Sequence, residues 1–195
     1  MIFPVIPFLC CVILKYDSVS GLEWMKARFV AFIAAFVALI SVSSAFAHTI
    51  AWVGHPTIGA IIVTFLYLTA FGISDRLGVT SIIGLLTGVV NSLIFASPFS
   101  IPVHFVRGAV FDLFFFVSRH KLCCKRCAIA SGVLSFYVTM IVIYTLYATF
   151  GLTFTSWWIW FILAGIPSTV LTIPGSLLAL KYKERIRGAF MRGGA

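Results

Sequence analysis

The sequence predicts an all-α, polytopic membrane protein folded as a compact six-helix transmembrane bundle. Three observations predict it. Of the 195 residues, 62% are hydrophobic and only 10% charged, too little polarity to coat a soluble domain. The apolar residues give the chain a mean hydropathy of +1.13 and gather into runs of bilayer-crossing length. The loops between those runs are alternately basic and free of Lys and Arg, the pattern that sorts inner from outer loops. The net charge of +9 therefore reads as membrane topology. The lipid bilayer is the expected environment, and no nucleic-acid partner is expected.

Residues 1–24 stand apart. MIFPVIPFLCCVIL is apolar but short, is broken by Pro4 and Pro7, and lacks a basic leader. The extension is either an interfacial segment or lies upstream of a natural start at Met25. The transmembrane domain is expected over residues 25–190.

The first span, about 29–47, follows Lys26 and Arg28. Ala31, Ala34, Ala35 and Ala38 recur at three- and four-residue spacing, which lets another helix approach closely in lipid. That face either packs internally or meets another subunit. The uncharged loop HTIAWVGHP carries Trp52, an aromatic suited to the membrane interface. The second span, about 57–73, ends at a turn containing Asp75, Arg76 and Gly78. The third, about 79–96, has Gly84 and Gly88 four apart and Asn91 near its far end. The fourth covers 101–118. The fifth, about 128–150, follows the basic stretch RHKLCCKR. The sixth, about 157–180, opens at Trp157 in WWIW and contains Pro167 and Pro174, which should kink or interrupt it. A basic tail, 181–195, completes the chain.

Charge then sets orientation. Lys and Arg lie before the first span, at Arg76, in Arg119–Arg126 and in the tail, and the three opposite loops contain none. Both ends of the six-span core are expected in the cytoplasm of a cell-membrane protein.

The fourth span, IPVHFVRGAVFDLFFFVS, is apolar yet holds His104, Arg107 and Asp112. Ionisable groups at bilayer depth are costly and rarely lack a partner or a task. At about 100° per residue, Arg107 lies about 60° from His104 and about 140° from Asp112, so the three share a broad face. Asn91, His104 and Arg107 are expected near the outer surface, and Asp112 nearer the midplane. Each is a candidate either for binding a ligand or for anchoring neighbouring helices.

Five cysteines include the cluster Cys123, Cys124 and Cys127. The CCxxC spacing lacks a second ligand pair, so no metal site is expected, and a cytoplasmic loop would keep its thiols free. Phosphate-loop and dinucleotide signatures are absent and no catalytic triad stands out. An enzyme is not expected. A stand-alone proton-coupled carrier using His104, Arg107 and Asp112 is a second possibility, and a structural or assembly membrane protein a third.

The chain resembles the substrate-capturing membrane subunits, or S components, of energy-coupling-factor transporters, closest to the thiamine and hydroxymethylpyrimidine branch. Four stretches carry the likeness: ARFVAFIAAFVAL in the first span, GVTSIIGLLTGVVNSLI in the third, Arg107-Gly108 with Asp112 in the fourth, and IPGSLLALKYKERI at the end of the sixth. Family members more often have Glu at the position of Asp112. The resemblance implies capture of a small vitamin or precursor, thiamine- or pyrimidine-like, without a cofactor. It implies a transmembrane coupling protein and two cytoplasmic ATPase subunits as partners. The coupling protein would meet Ala31, Ala34, Ala35 and Ala38; the candidates for substrate contact, read from the residues themselves, are Asn91, His104, Arg107, Asp112, Trp52 and Trp157.

Overall fold

The computed structural model describes residues 27–50, 55–74, 76–118, 125–151 and 157–192. These form six helices: α1 (Ala27–Ile50), α2 (His55–Ser74), α3 (Val79–Phe95), α4 (Ser100–Val117), α5 (Lys125–Thr149) and α6 (Trp157–Arg192). The protein is all-α. Three helical stretches, Phe29–Ala47, Ser100–Val117 and Lys125–Thr149, are long and apolar enough to cross a membrane, while Gly59–Ser74 and Val79–Phe95 are shorter apolar segments. About a third of each long stretch is buried inside the protein. The remainder turns large apolar side chains outward, among them Val42, Leu113 and Ile141, and Leu93 of α3 does the same. Water would penalise such a surface and lipid does not. The protein is therefore a multi-pass membrane protein.

Of the kink or interruption expected in the sixth span, the interruption does not occur. Pro167 and Pro174 lie inside α6 without interrupting it, and the basic segment after residue 180 continues the same 36-residue helix to Arg192. Each proline removes one N–H from the helix ladder, and in a bundle neighbouring helices and hydroxyl side chains compensate for such losses. Thr169, Thr172 and Ser176 also donate within α6, to the carbonyls of Gly165, Ser168 and Thr172 at 2.7, 2.8 and 2.9 Å, which are not the carbonyls that the prolines leave without an N–H. The cysteine cluster supplies a correction: Cys127 is disulfide-bonded rather than a free thiol. Cys123 and Cys124 lie outside the described residues.

Glycine lets these helices meet backbone to backbone. α3 and α4 pack closely, as do α2 and α6. A Cβ on Gly84 would overlap the His104 carbonyl, and one on Gly108 would overlap that of Thr80. A Cβ on Gly88 would stand 2.7 Å from Ile101 Cα. α6 approaches α2 in the same way, where a Cβ on Gly175 would stand 2.6 Å from the Ile61 carbonyl oxygen. Lipid tails are as apolar as leucine, so close dispersion contact and hydrogen bonds replace the hydrophobic drive of a soluble core. Aromatic stacking adds to them. Phe71 of α2 lies flat against Phe115 of α4, with centroids 3.9 Å apart and planes at 7°. Tyr67 stacks on Phe111 one turn further along, at 5.5 Å.

At the turn before α3, Gly78 has φ 86°, a left-handed conformation that glycine adopts without the cost a Cβ brings. α1 presents Phe32, Phe36, Val37 and Ile40 to the core. Ala31, Ala34, Ala35 and Ala38 are exposed on its other side.

Gly108→Val is expected to push α3 and α4 apart and to cost about 1–3 kcal/mol, as overpacking does. Thermal unfolding in detergent checks this against Leu113→Val on the lipid-facing side of the same helix, expected within about 0.5 kcal/mol of the parent.

Candidate ligand-binding site

The α3–α4 contact sets two groups of polar side chains at opposite ends of one helix pair. At one end Asp112 of α4 reaches the first turn of α3. Its Oδ2 accepts from the Ser81 backbone N–H at 2.7 Å and from the Ser81 hydroxyl at 2.5 Å. The first N–H groups of a helix have no partner within it, and the N-cap residue of α3, Gly78, supplies no side-chain cap. Asp112 supplies that cap from another helix and sets a negative charge at the positive end of the α3 dipole. The Thr80 hydroxyl donates to the Gly108 carbonyl at 2.9 Å and closes the same seam. Asp112 stands only five residues from the C-terminal end of α4, beside the α3 N-terminus that it caps.

At the other end lies a cavity of about 360 Å³. Residues from α1 to α5 and from the α3–α4 turn line it. Asn91, His104 and Arg107 are on its wall and Asp112 is not. Asn91 Nδ2 and His104 Nε2 lie 3.0 Å apart, joining α3 to α4. Asn91 Oδ1 and His104 Nδ1 have no hydrogen-bond partner. Arg107 Nε donates to the Thr139 hydroxyl of α5 at 3.4 Å, and the Ser135 hydroxyl donates to the Arg107 carbonyl at 3.2 Å. Phe95, Phe99, Phe111 and Phe136 supply apolar wall. Phe99 also packs against Tyr147 and Phe150, with centroids at 5.8 and 5.0 Å, at the turn-side rim.

The broad ionisable face of the fourth span thus divides into two sites. His104 and Arg107 belong to the cavity, and Asp112 to the α3 cap. Trp52 lies outside the described residues, as does the side chain of Trp157. Ser135 and Thr139 were missed from the sequence. Ser131, Ser135 and Thr139 recur every four residues in an otherwise apolar helix and are all buried, a polar stripe that periodicity alone would have revealed. Ser81 gave no such signal, because its role depends on a partner 31 residues away.

Chemically, the arrangement suits binding. The cavity lies toward the small end of the range for ligand pockets, roughly 300–1,000 Å³. It combines an aromatic and aliphatic wall with a few polar groups. Among the described residues no three His, Cys, Asp or Glu side chains come together as metal ligands would. Comparison of the chain with known protein families, curated proteins and solved structures gives no match.

The cap assigned to Asp112 carries its own test. Asp112→Asn and Ser81→Ala are each expected to destabilise the protein by about 1–3 kcal/mol, the range for hydrogen bonds to a charged group. In a double-mutant cycle read by unfolding in detergent, the two should be coupled and the double variant less destabilised than the sum.

Proposed function

We propose that this chain is the six-span capture subunit of an energy-coupling-factor type transporter. It takes up a small vitamin or vitamin precursor at the outer surface. Transport is driven by two cytoplasmic ATPases acting through a transmembrane coupling protein. The observation that carries this reading is the cavity of about 360 Å³, which gathers Asn91, His104 and Arg107 from two helices at the end closed by the α3–α4 turn. That turn and the other loops on its side of the sequence contain no Lys or Arg, so the positive-inside pattern favours a mouth facing outward. No reaction is assigned to the chain itself.

Two further features support the reading. The alanine face of α1 is exposed, as a helix docking against a coupling protein requires. Asp112 is bonded into the α3 N-terminus, which weighs against its serving as a proton carrier along the cavity. The disulfide at Cys127 pulls against an inner location for its loop, since cytosolic thiols are generally kept reduced. Arg119, Lys121, Lys125 and Arg126 in the same stretch outweigh it.

Ala34→Trp and Ala38→Trp are expected to abolish ATP-driven uptake and co-purification of the coupling protein and ATPases, while small-molecule retention in native mass spectrometry stays intact. Normal uptake by both variants would remove the assignment of that face.

A further inference from the structure

We propose that the cavity takes a small organic monocarboxylate, with Arg107 pairing to its carboxylate and the aromatic wall holding its apolar body. The inference rests on the capture reading above and replaces the thiamine-like ligand that the resemblance suggests.

The charge ledger around Arg107 leads here. Arg107 is one of the residues that line the cavity. Its one side-chain hydrogen bond is the long contact from Nε to Thr139. The two terminal nitrogens remain uncommitted, and that edge matches a carboxylate through two parallel bonds. Among the described residues no carboxylate is paired with it. Between Asp75 and Glu184 the sole acidic residue is Asp112, and its bonds go to Ser81. The loops 48–56, 97–100 and 151–156 hold no Asp or Glu. A lone cation in a largely apolar cavity at membrane depth is costly, and an anionic ligand relieves that cost.

The same ledger limits the anion to one charge. A doubly charged phosphate would leave its second charge uncompensated in a poorly polarisable site. Thiamine carries a fixed positive charge and would face Arg107 with no acid to offset the repulsion. The remaining polar groups fit the polar part of a mixed ligand. Asn91 and His104 are tied to each other, yet Asn91 Oδ1 and His104 Nδ1 have no partner. Phe111 and Phe136 give a flat apolar body its wall.

The test uses the full chain in detergent, washed free of small molecules. It is offered a metabolite extract of the cells that produce it, either untreated or with its carboxylates converted chemically to amides. Bound masses are read by native mass spectrometry. The expected result is a mass retained from the untreated extract and lost after amidation. In Arg107→Met its retention should fall about tenfold or more, as expected when a hydrogen bond to a charged group is removed, with partial recovery in Arg107→Lys. The amidation arm needs no variant, so it decides the matter even if Arg107→Met fails to fold. Equal retention from both extracts overturns the monocarboxylate and leaves capture standing. Retention that survives in folded Arg107→Met does the same. Retention of nothing from either extract overturns the capture reading and this inference with it.

Discussion

The close contact of α3 with α4 is the constraint on which the site depends. Gly84, Gly88 and Gly108 remove the side chains that would hold the two backbones apart. Only at that separation does Asp112 reach the N-terminus of α3 and Asn91 reach His104. One seam therefore does two things. It satisfies the start of a helix that has no local side-chain cap, and it aims two polar groups at the cavity. Hydrogen bonds between membrane helices are individually modest, so the glycine contacts must set the geometry that several such bonds then hold.

The division of labour along α4 follows from helix length. His104 and Asp112 are two turns apart, about 12 Å at 1.5 Å per residue, so a single cluster of all three ionisable groups was never available. Asp112 does its work toward the C-terminal end of α4 as a dipole-facing cap. Arg107 sits between and turns toward α5, where Ser135 and Thr139 hold its backbone and its Nε. Separating the charges in this way leaves Arg107 without a carboxylate among the described residues. A pairing of Arg107 with Asp112 would instead have given a neutral core and a cavity without a preference for charge.

Much of the architecture was legible in the sequence, for physical reasons. Bilayer thickness sets the length of apolar runs and the positive-inside bias marks the loops between them, so the starts and ends of α2, α3 and α4 lie within two residues of expectation. The continuation of α6 was not legible, because two prolines and a basic segment weaken local helix signals that tertiary neighbours can restore. At the site, Asn91, His104 and Arg107 stood out as polar groups in apolar surroundings, and all three line the cavity. That Asp112 could anchor a neighbouring helix was legible, but not which one, since spacing within one helix says nothing of which neighbouring helix begins beside it. The disulfide of Cys127 depends on the actual approach of two thiols, which composition does not report.

The central claim is a cavity with a net positive character that opens on the side of the uncharged loops. Methanethiosulfonate labelling of Met140→Cys, in a chain whose five native cysteines are serine, tests it most directly. Met140 lines the cavity one residue beyond Thr139. Applied to the outer side of intact cells, the anionic sulfonatoethyl reagent should react about tenfold faster than the cationic trimethylammonium reagent, the scale of a charge interaction across several ångströms of partly polar protein. Arg107→Met should abolish that preference. Equal rates for the two reagents, or labelling only from the side of the basic loops, would contradict the account.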